Sequence, residues 1–386
     1  MSEKECCNDR PLERVVLPMM APSACCGTNA VPTAPPPRME QAFVDGFIDG
    51  PRGKIPRVSS CLRPADRWGA FKARFGVGRM HYAIDPGLYA LGVPDAHAPV
   101  LVTANYKMSF DYLREALPGR NAWILVLDTK GINVWCAAGK GTFGTEELVN
   151  RINASGLSDI VTHRTLILPQ LGAPGVAAHA VKQLSGFAVH YGPIRARDLG
   201  AYLDAGQKAT PEMRRMTFPM RDRAVLIPIE LSEAFRASLI IVPVMFLLSG
   251  FLGAGGFTDN LMREGLFTIL ALVSSILAGT VLTPLLLPYL PGRAFATKGF
   301  AIGALTALLL INAWGGDLSS WRGVLQAVSW FLMPVAIAAY LAMNFTGAST
   351  YTSLSGVKQE MRWALPLEIG TAAAGLVIWI VSGFMP

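Results

Sequence analysis

The chain has 386 residues, of which 52% are hydrophobic and only 16% charged, with a formal net charge of +7. A charged fraction this far below the ~25% usual in soluble domains excludes an ordinary soluble protein. Nearly all the charge precedes residue 236, which implies a soluble part followed by a membrane part. The basic excess need not mean nucleic acid, because basic and aromatic residues do not interleave as they do in single-strand binders; a membrane-facing or inside-loop bias can account for much of it.

The opening "MSEKECCNDRPLERVVLPMM" carries acids and lacks a long apolar core, so it does not read as a secretory signal. Residues 1–55, rich in Pro, Gly and polar side chains, read as a flexible tail. Cys6, Cys7, Cys25 and Cys26 lie in it as adjacent pairs, which do not easily clamp one tetrahedral ion. They read as unstructured thiols, with soft-metal scavenging as the alternative. With Cys61 and Cys136, all six cysteines fall at or before position 136, an arrangement that suits a reducing, cytoplasmic setting better than a secreted disulfide framework.

Residues 56–235 are expected to form a Rossmann-like α/β domain. "APVLVTANY" reads as a buried strand followed by a helix around "SFDYLREAL". "AWILVLD", "TLILPQL" and "FAVHYGP" read as further strands, separated by helices at "GTEELVNRINASG" and "GVAAHAVKQLSG". A short helix at "RDLGAYLDAG" and a fifth strand at "AVLIPIEL" complete the pattern. Continuous apolar strands spaced by helices predict a parallel sheet, in which ligands bind beyond the carboxyl ends of the strands. Those ends carry Thr103-Ala104-Asn105, Asp128, Pro169-Gln170 and Tyr191-Gly192-Pro193.

Residues 236–386 are expected to form an all-α transmembrane domain of five helices, at about 237–254, 265–290, 298–314, 324–345 and 365–384. Pro243, Pro284 and Pro334 are tolerable inside membrane helices. Arg293 and Lys298 follow the second span, and Lys358 and Arg362 the fourth, so positive-inside counting places these loops and the α/β domain in the cytoplasm, on a multi-pass cell-membrane protein. No span shows several buried ionisable groups of the kind that marks an ion pathway, which favours an anchor over a transporter.

One segment carries the chemistry: "GINVWCAAGKGTFG", Gly131 to Gly144. A Walker loop fails twice here, because Val134 stands where Gly is needed and Gly141 follows Lys140. "GKGTFG" matches G-x-G-x-x-G, but the preceding strand ends near Asp128 and no acid stands at the expected distance. The preceding residues read as a short helix capped by Asn133, with Val134, Trp135 and Cys136 in its first turn. A cysteine there feels the positive end of the helix dipole, which favours the thiolate. Ala137, Ala138 and Gly139 would leave a low surface for a broad planar ligand, and Lys140 would support negative charge one turn on. On the residues alone, axial ligation of a macrocycle metal stands beside the plain alternative of a small buried cysteine.

"NVWCAAGK", Asn133 to Lys140, resembles the Asn-Val/Ile-Trp-Cys-Ala-Ala/Ser-Gly-Lys cap-helix signature of the HgcA family of mercury-methylating corrinoid proteins, complete over eight residues. The domain layout agrees over about residues 60–386, and the soluble part is similar to the corrinoid domain of the acetyl-CoA pathway corrinoid iron–sulfur protein. The resemblance implies a cobalamin-type corrinoid with Cys136 as the lower axial ligand to cobalt. It also implies a cap helix shaped by Asn133, Val134, Trp135, Ala137, Ala138, Gly139 and Lys140, with Thr103 near the cofactor. Tyr191, Gly192, Pro193 and Ala196 are added as strand-end candidates. The implied activity is transfer of a methyl group from methyl–Co(III) to inorganic Hg(II), giving methylmercury. A membrane-anchored methyl carrier of one-carbon metabolism with another acceptor is the alternative, and a nucleotide-binding membrane sensor or transporter is a more distant one. The implied partner is a ferredoxin-like 4Fe–4S protein, HgcB, since this chain has no Cys-x-x-Cys run to hold such clusters itself. The methyl donor is left open.

Overall fold

The structure, a computed structural model, describes residues 35–253, 255–348 and 354–385. The readings of Cys6, Cys7, Cys25, Cys26 and most of the tail lie outside the described residues. Seven strands form one sheet: β1 (Val44–Gly50), β2 (Gly53–Val58), β3 (Gly87–Leu91), β4 (Val100–Ala104), β5 (Ala122–Leu127), β6 (Thr165–Leu168) and β7 (Ala188–Tyr191), in the order β1-β2-β3-β5-β4-β6-β7. The first four strands expected from the sequence are β4 to β7, and they pair in parallel. The sheet as a whole is mixed, because β3 runs antiparallel to β5 and β1 antiparallel to β2.

Seven helices accompany the sheet: α1 (Pro64–Arg74), α2 (Lys107–Glu115), α3 (Val134–Lys140), α4 (Thr145–Ser155), α5 (Leu157–Ile160), α6 (Ala178–Ser185) and α7 (Leu199–Asp204). Both sheet faces are covered, so the central strands β4 and β5 are buried at every position, apolar except for Thr103, and each side chain is assigned by parity. Val100, Val102 and Ala104 of β4, with Trp123, Leu125 and Leu127 of β5, pack with Leu148, Ile152 and Val181 of α4 and α6. Leu101 of β4, with Ile124 and Val126 of β5, packs with Phe110, Leu199 and Tyr202 of α2 and α7.

Two expectations are corrected here. Residues 44–58, mostly assigned to the flexible tail, form the β1–β2 hairpin, turning at Gly53 with φ +120°. β1 alternates between half-buried and exposed residues, the exposed ones including Asp45 and Asp49, so its run lacks the apolar density of a central strand. The expected fifth strand, "AVLIPIEL", lies instead within a 30-residue helix, α8 (Met220–Ser249). The same helix runs on through Glu230, Glu233 and Arg236 into the first apolar span, where a helix satisfies its own backbone groups, and Pro228 is absorbed as one missing bond.

Beyond α8 come α9 (Phe257–Leu286), α10 (Phe295–Trp314), α11 (Trp321–Ala348) and α12 (Leu354–Gly383). All five are long and apolar enough to cross a membrane, with mean hydropathies of 1.5 to 2.2. α9 contains two π turns, Leu261–Gly265 and Ala278–Leu282. Close packing in this domain depends on small residues. A methyl group added at Gly279, Gly299 or Gly303 would come within 3.0 Å of Ala338 of α11. The spans are less free of acids than the sequence suggested. Glu360 and Glu368 are both buried on α12; Glu360 accepts from the Ala296 backbone N–H at 2.7 Å. The Glu368 carboxylate has no hydrogen-bond partner among the described residues and lines an otherwise apolar cavity of about 310 Å³.

A buried ion cluster joins α1 to α2. Lys107 Nζ lies 2.8 Å from Asp66 and 2.7 Å from Asp111, and the Arg114 guanidinium lies 2.8 Å from each. Arg114 also donates to the Ser59 and Cys61 carbonyls. Burial pushes the Asp66 carboxyl up, but bonds from Lys107, the Arg63 backbone N–H and Arg114 outweigh it and hold the group below its usual value. Arg114→Ala, which leaves two buried carboxylates short of a partner, is expected to cost about 3–5 kcal/mol in a denaturant melt. The depressed Asp66 pKa adds a pH dependence. Its stabilisation is present above the unfolded value of about 4 and is lost as pH falls through the folded value. The wild-type melt should therefore weaken below about pH 4, and Asp66→Asn should flatten that slope.

Candidate functional site at the carboxyl edge of the sheet

The turn that leads from β5 into α3 is held by one side chain. Asn105, buried just past the end of β4, presents Oδ1 to the Thr129 backbone N–H (3.1 Å), the Thr129 hydroxyl (2.8 Å) and the Gly131 backbone N–H (2.9 Å). The Thr129 hydroxyl lies 2.6 Å from the Ile132 carbonyl as well. Lys130 and Gly131 take left-handed backbone angles, φ 59° and 71°, which close the turn. Asp128 accepts from the Lys130 backbone N–H and forms an ion pair with its ammonium group, while its own N–H donates to Glu147 at 2.8 Å. Burial would raise the Asp128 carboxyl, but the bonds from Lys130 outweigh it and leave the pKa below the usual value.

α3 starts where the sequence predicts. Asn133 is its N-cap and accepts from the Cys136 backbone N–H at 2.9 Å, satisfying one of the free donors of the first turn. Gly141, with φ 82°, ends the helix, so "GKGTFG" closes α3 and leads into α4 and is not a phosphate loop. Cys136 is half-buried, and its sulfur is free of any disulfide.

A cavity of about 250 Å³ opens between β4 and β6, where successive connections leave the sheet in opposite directions. Such a switch point is where open α/β sheets bind ligands. Larger cavities of about 490 and 480 Å³ lie beside the β2–β3 edge and at the amino end of β4. Their volume does not outweigh that topological argument. Of the residues singled out from the sequence, Thr103, Asn133, Val134, Trp135, Gly192, Pro193 and Ala196 line the switch-point cavity together.

The other singled-out residues are placed differently. Cys136 follows the lining residues in the first turn of α3 without forming the wall. Gly139 and Lys140 are exposed at the far end of the helix. Ala137 and Ala138 do not form an open flat face, because both are buried in the core. Their small size serves the opposite side of the helix, where Gly175 meets it: a methyl at Gly175 would fall 2.1 Å from the Phe143 carbonyl and 3.0 Å from Ala138 Cα. The Tyr191 side chain points away too, its hydroxyl donating to the Val176 carbonyl at 2.7 Å.

Sequence reasoning missed the wall built by α2, namely Ser109, Tyr112 and Leu113. Their signal was present: α2 directly follows the strand that carries Thr103, so its second turn leans over the same edge. Tyr112 is also bonded to Arg74 of α1. Asn105 was seen as a strand-end residue, but its grip on the β5–α3 turn was not.

The whole cavity lies within residues 77–203, which match the family model described as CO dehydrogenase/acetyl-CoA synthase delta subunit. Similar curated proteins include the acetyl-CoA decarbonylase/synthase complex gamma subunits of three archaea. Identity is 36% over 97 residues with that of Methanocaldococcus jannaschii, covering 25% of this chain and 20% of the relative. It is 31% over 123 residues with that of Methanopyrus kandleri, covering 31% and 26%. It is 28% over 123 residues with that of Archaeoglobus fulgidus, again covering 31% and 26%. The chain thus spans about a quarter of the length of these relatives or less.

Asn105→Ala leaves the Thr129 and Gly131 donors without their buried acceptor and is expected to destabilise the domain by about 2–3 kcal/mol. Asn133→Ala removes only the cap and should cost about 1 kcal/mol. Denaturant melts of the two variants test this order; an equal or reversed order would refute the central role given to Asn105.

Proposed function

We propose that the α/β domain holds a cobalamin-type corrinoid at the carboxyl edge of its sheet, with Cys136 as the lower axial ligand to cobalt, and that the protein methylates inorganic Hg(II). The observation that carries the reading is a free, half-buried cysteine in the first turn of a capped helix whose preceding residues, Asn133 to Trp135, line the switch-point cavity. The complete eight-residue likeness to the mercury-methylating family and the match of residues 77–203 support it. The donor chemistry fits: a single reduced thiol supplies a soft, strongly donating ligand. Among the described residues, no cluster of three or more metal-ligating side chains competes for the ion.

When bound, the corrinoid would supply a methyl group for transfer to an electrophile, and the Cys136 thiolate would hold its cobalt as a strongly donating ligand. The protein's own part is positional. Asn133 holds the Cys136 backbone N–H, so the thiol is carried on a fixed helical turn. The Asn105-bound turn fixes the approach of that helix to the sheet. Val134, Trp135, Leu113 and Ile194 give the cavity an apolar wall, while Thr103 and Ser109 offer it hydroxyls. Hg(II) is the substrate, delivered by soft thiolates on this chain or its partner. A ferredoxin-like 4Fe–4S protein, HgcB in the related systems, supplies electrons, and the domain faces the cytoplasm from a multi-pass cell-membrane anchor.

The second reading keeps the corrinoid and changes the acceptor, making the protein a membrane-anchored methyl carrier of one-carbon metabolism. The likeness to acetyl-CoA decarbonylase/synthase gamma subunits favours it. Purified full-length protein, loaded with methylated corrinoid and offered Hg(II) or a thiol or metal-centre acceptor, separates the two. Methyl transfer to Hg(II) and not to the other acceptors supports the first; transfer to the other acceptors alone supports the second. Cys136→Ala is expected to change the visible spectrum of the bound corrinoid and to lower methylmercury formation at least ~100-fold, at or beyond the upper end of what losing a mere outer-shell partner costs. An unchanged spectrum and rate in that variant would end the axial-ligand assignment.

A further inference from the structure

The segment from α1 to Met80 exposes an unusual amount of apolar surface for a folded domain. Trp68, Phe71 and Phe75 lie three and four residues apart, on one face of the helix and the residue just after it. Trp68 and Phe71 stack with ring centroids 5.2 Å apart, and Phe71 and Phe75 follow at 4.8 Å. Trp68 is 59% exposed, Phe71 50%, Val77 58% and Met80 77%. Exposed patches of this kind mark an interaction surface.

Its position in the fold identifies what covers it. A methyl at Gly76 would lie 3.1 Å from Ile229 and 3.2 Å from Arg236, so the segment is seated on α8. Phe75 lines a groove whose walls are Pro228, Leu231 and Phe235 of α8 and Val273, Ile276 and Leu277 of α9. Those α9 residues belong to a membrane-spanning segment, so the aromatic face is continuous with surface that lies against lipid. The charge pattern agrees. Between Pro64 and Tyr82 the only acid is Asp66, which is buried in the ion cluster, while Arg67 and Lys72 are exposed beside the aromatic rings.

We propose that α1 is an interfacial helix, which lies in the bilayer surface with Trp68, Phe71 and Phe75 among the upper acyl chains and Arg67 and Lys72 at the headgroup phosphates. Amphipathic helices of this composition lie in the interface plane with the apolar face ~5–10 Å deep, and tryptophan favours that depth. The Arg74–Tyr112 bond then puts the membrane surface one side chain away from the candidate site.

The test uses the full chain in lipid nanodiscs, with phospholipids brominated near the headgroup end of their acyl chains. Subtracting the fluorescence of Trp68→Phe from that of the wild type isolates Trp68. The substitution is conservative, and the replaced ring projects from the fold, stacked only on the exposed Phe71 face. The isolated signal is expected to lose about half or more of its intensity in brominated lipid, as for a ring at interfacial depth, and to resist iodide added to the water. A signal quenched by iodide and untouched by brominated lipid would overturn the proposal and leave the aromatic face open to a protein partner. A second readout is independent of Trp68→Phe: hydrogen exchange of residues 64–81 should slow in nanodiscs relative to detergent of short chain length. Equal exchange in both would count against the lipid contact.

Discussion

The candidate site depends on a single amide oxygen. Asn105 Oδ1, just beyond the end of β4, gathers two backbone N–H groups and a hydroxyl from the turn that carries the chain out of β5. The Thr129 donors are buried and the Gly131 donor half-buried, where an unmatched buried one costs about 1–3 kcal/mol, so the turn has one low-energy path. Because the path is fixed at Gly131, α3 begins at a fixed place, and Asn133 caps it at a fixed angle. The cap, the cysteine and the cavity wall are consequences of that grip and not separate inventions.

Small residues do related work in both halves of the molecule. In the α/β domain, Gly175 lets the following chain press against Ala138 and the Phe143 carbonyl, so α3 is wedged between the sheet edge and the 170–175 turn. In the membrane domain, Gly279, Gly299 and Gly303 bring α9 and α10 against Ala338 of α11. In neither place does the hydrophobic effect alone specify the distance between elements. A missing methyl group does, since interiors pack too densely to absorb one.

Much of this arrangement was legible in the sequence, for identifiable reasons. β4 to β7 are covered on both faces or end in Gly-Pro punctuation, so their apolar runs stand out; β1 and β2 form a half-exposed edge hairpin and do not. "AVLIPIEL" could be read either as a buried strand or as part of a helix, because so short a mainly apolar run fixes no period; only its continuation into the long apolar helix decides. At the site, strand-end logic located Thr103, Gly192 and Pro193, and capping logic located Asn133 and the start of α3. What sequence could not supply was rotational phase. Seven residues of helix do not reveal which side meets the core, so Ala137 and Ala138 were placed on the open face. For the same reason Ser109, Tyr112 and Leu113, one turn into α2, were not connected with the edge beyond β4.

The ion cluster between α1 and α2 has a consequence for the surface as well as for the core. Two acids and two bases, Asp66, Asp111, Lys107 and Arg114, neutralise each other inside the fold. α1 thereby withdraws its only carboxylate from solvent and leaves Arg67 and Lys72 outside. Folding itself separates the signs of charge, so a segment of mixed composition becomes a purely cationic face. Orientation in a membrane is usually ascribed to charged loops between spans; here the same asymmetry is also generated by tertiary structure, and it would vanish if the domain unfolded.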